Sequence, residues 1–188
     1  MKTTAIAGVV GALLLCAMMA MAADDMPEMP KPQEEHAWLQ KLVGEWTSEG
    51  TMYMMPGEPP MKCSGTESVH ALGGFWVVTD MTSVMPGTEE QMKGMLTLGY
   101  DPAQKKYLGT WVDSMTSTLW VYDGTMNEEG TVLTLETEGP CPMNEGTIMQ
   151  FREVIEIKSD TERTFTSYIQ GEDDEWTKMM EIVYTRKA

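Results

Sequence analysis

The chain has 188 residues, 13 of them Lys or Arg against 29 Asp or Glu, for a formal net charge of −16, and 42% of it is hydrophobic. That length holds a single domain with a core of its own. The charge opposes binding to nucleic acid backbones or anionic membranes, both of which select for lysine and arginine.

The opening MKTTAIAGVVGALLLCAMMAMAADD sets Lys2 before an apolar run from Ala5 to Met19. The small-x-small triplet Ala20-Met21-Ala22 follows, then acid. This is the layout of a signal peptide over residues 1–22. The run falls short of the roughly 20 residues that span a bilayer, so the mature chain is expected to carry no membrane span. Leu15 precedes Cys16 where a lipidation site would need a small residue, which favours a soluble periplasmic or extracellular product. Cleavage leaves 166 residues with 16 of the 20 methionines and two of the three cysteines, Cys63 and Cys141.

Residues 23–33, ADDMPEMPKPQ, read as an extended, flexible Pro-rich lead to a domain over 34–188. In PQEEHAWLQKLVG, glutamates occupy the first turn of a short helix. Trp38, Leu39, Leu42 and Val43 share one face, and Gly44 marks the stop. From Glu45 onward the pattern is strand and turn. Ten β-like runs are expected at 45–54, 61–72, 75–84, 91–100, 106–113, 117–123, 131–138, 147–158, 163–170 and 176–186. Their breaks carry turn chemistry, as in YDPAQKK, DGTMNEEG and KSDTE.

Ten short strands without crossover helices predict an all-β, antiparallel up-and-down barrel, with a two-sheet sandwich as the rival. A barrel of ten strands is wider than the eight that side chains just fill, so an internal cavity is the expected by-product. Links alternate between the two ends of a meander. The odd-numbered links, among them MMPGEPPM and GPCPMNEG, gather methionine and proline at one end. The helix enters at the other end, where its apolar face can plug the barrel. Cys63 and Cys141 fall at the methionine end, which leaves a disulfide between them open.

The blocks HAWLQKLVGEW, LGGFWVVTD, GMLTLGYDPAQKKYLGTWVDSM and EIVYTRK resemble the bacterial family catalogued as domain of unknown function 1579, over about residues 34 to 187. The resemblance implies a calycin-like barrel, similar to lipocalins, fatty-acid-binding proteins and nitrobindin-like proteins, and it brings no activity with it. Gly44-Glu45-Trp46 is similar to the Gly-x-Trp that opens the first lipocalin strand. By that likeness Trp46 closes one barrel end and stacks on Arg186, a structural role.

The function expected on these grounds is binding of a small apolar or amphipathic molecule in the barrel. The lining candidates are Trp76, Tyr100, Trp111, Asp113, Trp120, Tyr122, Phe151, Tyr168 and Tyr184, and the mouth rim is Met54, Met55, Met61, Met85 and Met143. Cross-strand aromatic pairing is the plainer explanation of Trp111, Trp120 and Tyr122. With Phe151 inward, Glu153 is a buried acid in need of a partner such as Arg186 or Tyr184. The second reading is a filled barrel whose methionine rim contacts a partner. A third is Cu(I) held by the Met52–Cys63 segment, whose sulfurs are suitably soft. Against it, methionine is spread along the whole chain and no histidine lies near that segment. No cofactor is implied: His36 and His70 lack metal spacing, and no histidine after position 70 could serve as a late-strand haem ligand. No nucleophile motif such as G-x-S-x-G calls for catalysis.

Overall fold

A computed structural model describes residues 28–53, 59–84, 87–141, 146–171 and 173–188. The expected signal peptide over 1–22 lies outside these residues. From Pro32 onward the chain forms one compact unit. One helix, α1 (Glu34–Gln40), precedes ten strands: β1 (Gly44–Met52), β2 (Met61–Leu72), β3 (Trp76–Val84), β4 (Gln91–Asp101), β5 (Lys106–Asp113), β6 (Trp120–Met126), β7 (Val132–Pro140), β8 (Ile148–Ser159), β9 (Glu162–Gln170) and β10 (Trp176–Arg186).

Each strand pairs antiparallel with its sequence neighbour, and β1 pairs with β10, so the sheet closes into a barrel. Closure leaves no exposed edge, and the sandwich is excluded. The largest displacement from the expected strands is β6, which runs 120–126 rather than 117–123. The DGTM segment stays in the strand because the turn lies later. There the Asn127 Oδ1 accepts from the N–H groups of Thr131 and Val132, both at 2.9 Å. Upstream, the Asp113 Oδ1 accepts from Met115 and Thr116 at 2.8 and 2.9 Å, which holds 114–116 in a turn.

The period of two sorts each strand cleanly. On β7, Leu133, Leu135 and Thr137 are buried; on β8, Phe151, Glu153 and Ile155 are buried. These face inward, and their sequence neighbours face water. The helix is short and ends through 3₁₀-type bonds, Leu42 N–H to Leu39 and Val43 N–H to Gln40. Its His36 ring meets Phe75 and Tyr100 edge-on at 5.2 and 5.6 Å, and Trp38 meets Tyr107 at 6.1 Å. These partners flank the β2–β3 and β4–β5 turns, so α1 closes the even-link end of the barrel.

Candidate functional site

The floor is built from both chain ends. The Trp46 indole N–H donates to the Leu42 carbonyl at 2.9 Å, and the Arg186 guanidinium stacks on its ring at 4.1 Å. Arg186 also donates to the carbonyls of Lys41, Val43 and Asp160 at 2.8, 2.5 and 2.7 Å. Two of those carbonyls belong to the exit of α1, where a cation is favoured. Gly44, at φ +141°, leaves room for this guanidinium, because a Cβ there would collide with it.

Next comes a buried ion pair that sequence reasoning missed. Arg163 on β9 binds Glu67 on β2, and both side chains are almost fully buried. The Arg163 guanidinium lies 4.0 Å from the Tyr184 ring and 4.9 Å from the Trp46 ring. Tyr184 donates its hydroxyl to Glu67. Burial pushes the Glu67 carboxyl up, while Arg163 and Tyr184 pull it down. The signal was present in the strand parity. Arg163 shares its face with Ser167 and Ile169, and Glu67 shares its face with Val69.

At mid-strand, Glu153 does face inward, but Arg186 and Tyr184 are committed elsewhere. The Ser167 hydroxyl donates to its Oε1 at 3.1 Å, and Oε2 is buried with no partner. Burial pushes this carboxyl up to about 8, against the small opposing effect of Ser167. Tyr122 is close enough to feel its charge and, with burial as the main cause, titrates well above its usual range.

Toward the odd-link end the lumen becomes aromatic and sulfur-rich. Trp111 and Trp120 are direct cross-strand partners on β5 and β6. Their rings lean apart, Trp111 over Gly94 on β4 and Trp120 over Gly139 on β7, where no side chain stands in the way. Trp120 also meets Phe151 edge-on at 5.1 Å, and the Trp111 N–H donates to the Asp113 carboxylate at 3.0 Å. Asp113 is thus engaged by its own turn and by Trp111. Strand register puts Met52, Met61, Met81, Met92, Met149 and Met180 on the inward face near this end. Among the expected rim residues only Met61 lies within the described residues; Met54, Met55, Met85 and Met143 lie outside them.

Two lining candidates require correction. Trp76 points outward and is 38% exposed, its ring covering Gly99, because Val77 and Thr79 hold the inward parity of β3. Tyr168 also faces outward, opposite Arg152 and Lys178, since Ser167 and Ile169 take the lumen. Tyr100 packs on α1 and donates to Glu35, which makes it part of the closed end. Trp111, Asp113, Trp120, Tyr122, Phe151 and Tyr184 stand on the inward face. Cys63 and Cys141 carry free thiols. They share an end, but β2 and β7 are five strands apart in the ring of ten, across a barrel roughly 20 Å wide. A disulfide needs Cα atoms within about 7 Å. Burial also pushes the Cys63 thiol up, which disfavours the thiolate form.

Burial on the inward faces is uneven. Trp46, Val77, Leu98, Leu133, Leu135 and Ile155 are each 2% exposed or less, whereas Leu96, Trp111, Trp120, Met149 and Met180 are half-buried, as are Ile157 and Phe165 nearer the floor. Two concavities are present, each about 400 Å³. One is at the floor beside Trp46 and Arg186, and the other is along β1 to β3 near Gly65. Among the described residues no group of three or more His, Cys, Asp or Glu side chains is placed to hold a metal, and no helix is long and apolar enough to cross a membrane.

A family model described as a protein of unknown function, DUF1579, matches residues 31–186. No curated protein matches the sequence. Among solved structures, Rv2717c from M. tuberculosis aligns with a TM-score of 0.60 at 13% identity, covering 84% of this chain and 100% of that one. The S-type phycobiliprotein lyase CPES from Guillardia theta aligns at 0.55 and 14% identity, covering 85% and 99%. Both likenesses establish the shared barrel.

Proposed function

The chain belongs to the DUF1579 family of proteins of unknown function, and from that premise we propose that it is an exported carrier or sensor of a small hydrophobic or amphipathic molecule held in the barrel lumen. The observation that carries this reading is the half-burial of large apolar side chains on the inward face. Trp46, Leu98 and Leu133 are buried, while inward-facing Leu96, Trp111, Trp120 and Met180 remain half-buried. A barrel packed shut would bury these side chains fully. Methionine and tryptophan at the open end suit the task, because both adapt to apolar ligands of varied shape. A calycin-like fold is compatible with small-ligand binding. The leader over 1–22 delivers the protein to the periplasm or the exterior in this proposal, and N-terminal sequencing of the exported form should begin at Ala23.

The test uses the neutral apolar fluorophore N-phenyl-1-naphthylamine with the mature protein. Saturable enhancement at one site, lost on displacement by dodecanol, is the expected result. A linear, non-saturable signal would return the barrel to a packed structural role.

A further inference from the structure

Building on the lumen-binding reading, we propose that the lumen selects a basic amphiphile, an alkyl or aryl amine, and rejects fatty-acid-like carboxylates, with Glu153 as the group that receives the amine. The inference rests on an inventory of the charges that face inward. Above the Trp46 floor, Arg163 is the one inward-facing cation among the described residues, and its charge is matched by Glu67. It is covered by the Tyr184 ring at 4.0 Å and sits at the floor end of β9, remote from the mouth. A carboxylate entering from the open end therefore meets no cation to replace its lost hydration, and desolvating an unpaired carboxylate is costly.

The acidic side of the inventory is different. Asp113 at the rim is engaged by the Trp111 N–H and by the backbone N–H groups of Met115 and Thr116. Glu153 is not engaged in this way. Ser167 satisfies one of its oxygens, and the other is buried without a partner. A buried polar atom left in this condition is destabilising, and native interiors pair nearly all such atoms. An ammonium group supplies what is missing, a donor with positive charge, and its arrival replaces the proton that burial keeps on the carboxyl.

The surroundings agree with that head group. The path from the mouth passes the faces of Trp111 and Trp120, which lean apart over Gly94 and Gly139, and tryptophan faces attract organic cations. The whole chain is acidic, so approach of a cation is favoured at long range. The apolar tail is left with Leu96, Met149, Phe151 and Met180.

Displacement of N-phenyl-1-naphthylamine by dodecylamine, dodecanol and dodecanoate, equal in chain length and below their micellar concentrations, tests the class of ligand. At pH 7.5 dodecylamine should displace at least about tenfold more tightly than dodecanoate, and Glu153→Gln should lower the amine-to-dodecanol affinity ratio by about tenfold. The wild-type comparison needs no variant, so it stands even if the substituted protein folds poorly. Dodecanoate binding as tightly as dodecylamine, or an unchanged ratio in a folded Glu153→Gln protein, overturns the amine assignment and leaves the carrier reading intact. Failure of the fluorophore and of all three chains to bind overturns both.

Discussion

Two buried carboxyls on the inward face meet opposite fates, and each gives a measurable consequence. Glu67 is paired, so removing Arg163 alone strands it. Arg163→Met should cost about 3–5 kcal/mol, whereas the double variant Glu67→Gln/Arg163→Met should recover most of the loss, read from urea unfolding. Glu153 has Ser167 and Tyr122 beside it and no cation. The folded protein keeps its proton up to about 8, while the unfolded chain releases it near 4.5. The native state therefore binds more protons across that window, and this group's contribution to stability falls as pH rises from about 4.5 to 8. Glu153→Gln should leave the melting temperature near its wild-type value at pH 4.5 and raise it at pH 8. A variant that melts lower than wild type at pH 8 would contradict this assignment.

Elements show how parity, rather than composition, decides which side chains matter. Trp76 and Trp111 are equally attractive lumen residues in the sequence, yet one covers Gly99 on the outside and the other Gly94 on the inside. Reading each strand for its buried partner, Val77 beside Trp76 and Ser167 beside Tyr168, would have sorted them correctly. The ten strands themselves were legible because turn residues punctuate alternating runs, and β6 shifted only because Asn127 rather than Asp123 makes the turn. The Glu67–Arg163 pair could not be read by spacing. Its members are far apart in sequence and meet only because β2 and β9 are brought close by closure of β1 on β10. The Gly44 corner belongs to this scale as well. Gly44→Ala should destabilise by about 2–3 kcal/mol through its positive φ and the collision with Arg186. Part of that cost should vanish in an Arg186→Ala background, as thermal melts of the four proteins would reveal.

At the scale of the whole molecule, the barrel is asymmetric along its axis. One end is stoppered by α1, Trp46 and Arg186, and the other carries half-buried methionines and tryptophans. This polarity follows from the alternation of links in a meander, which is why inward methionines at strand ends such as Met52, Met61, Met92 and Met149 collect together. The exception is Met126, inward at the even end of β6 and packed on the core. Cys63 and Cys141 show the limit of the same logic. Knowing that two residues share an end does not place them on the same side, and the ring order separates them across the lumen.

The most direct test of a lumen open at one end is NMR of the protein labelled with ¹³C-methyl methionine, titrated with dodecanol. The methyl signals of Met81, Met92, Met149 and Met180 should shift saturably, while outward-facing Met95 and floor-end Met126 stay fixed. Shifts confined to Met95, or spread evenly over all of these signals, would contradict a ligand entering through the methionine mouth.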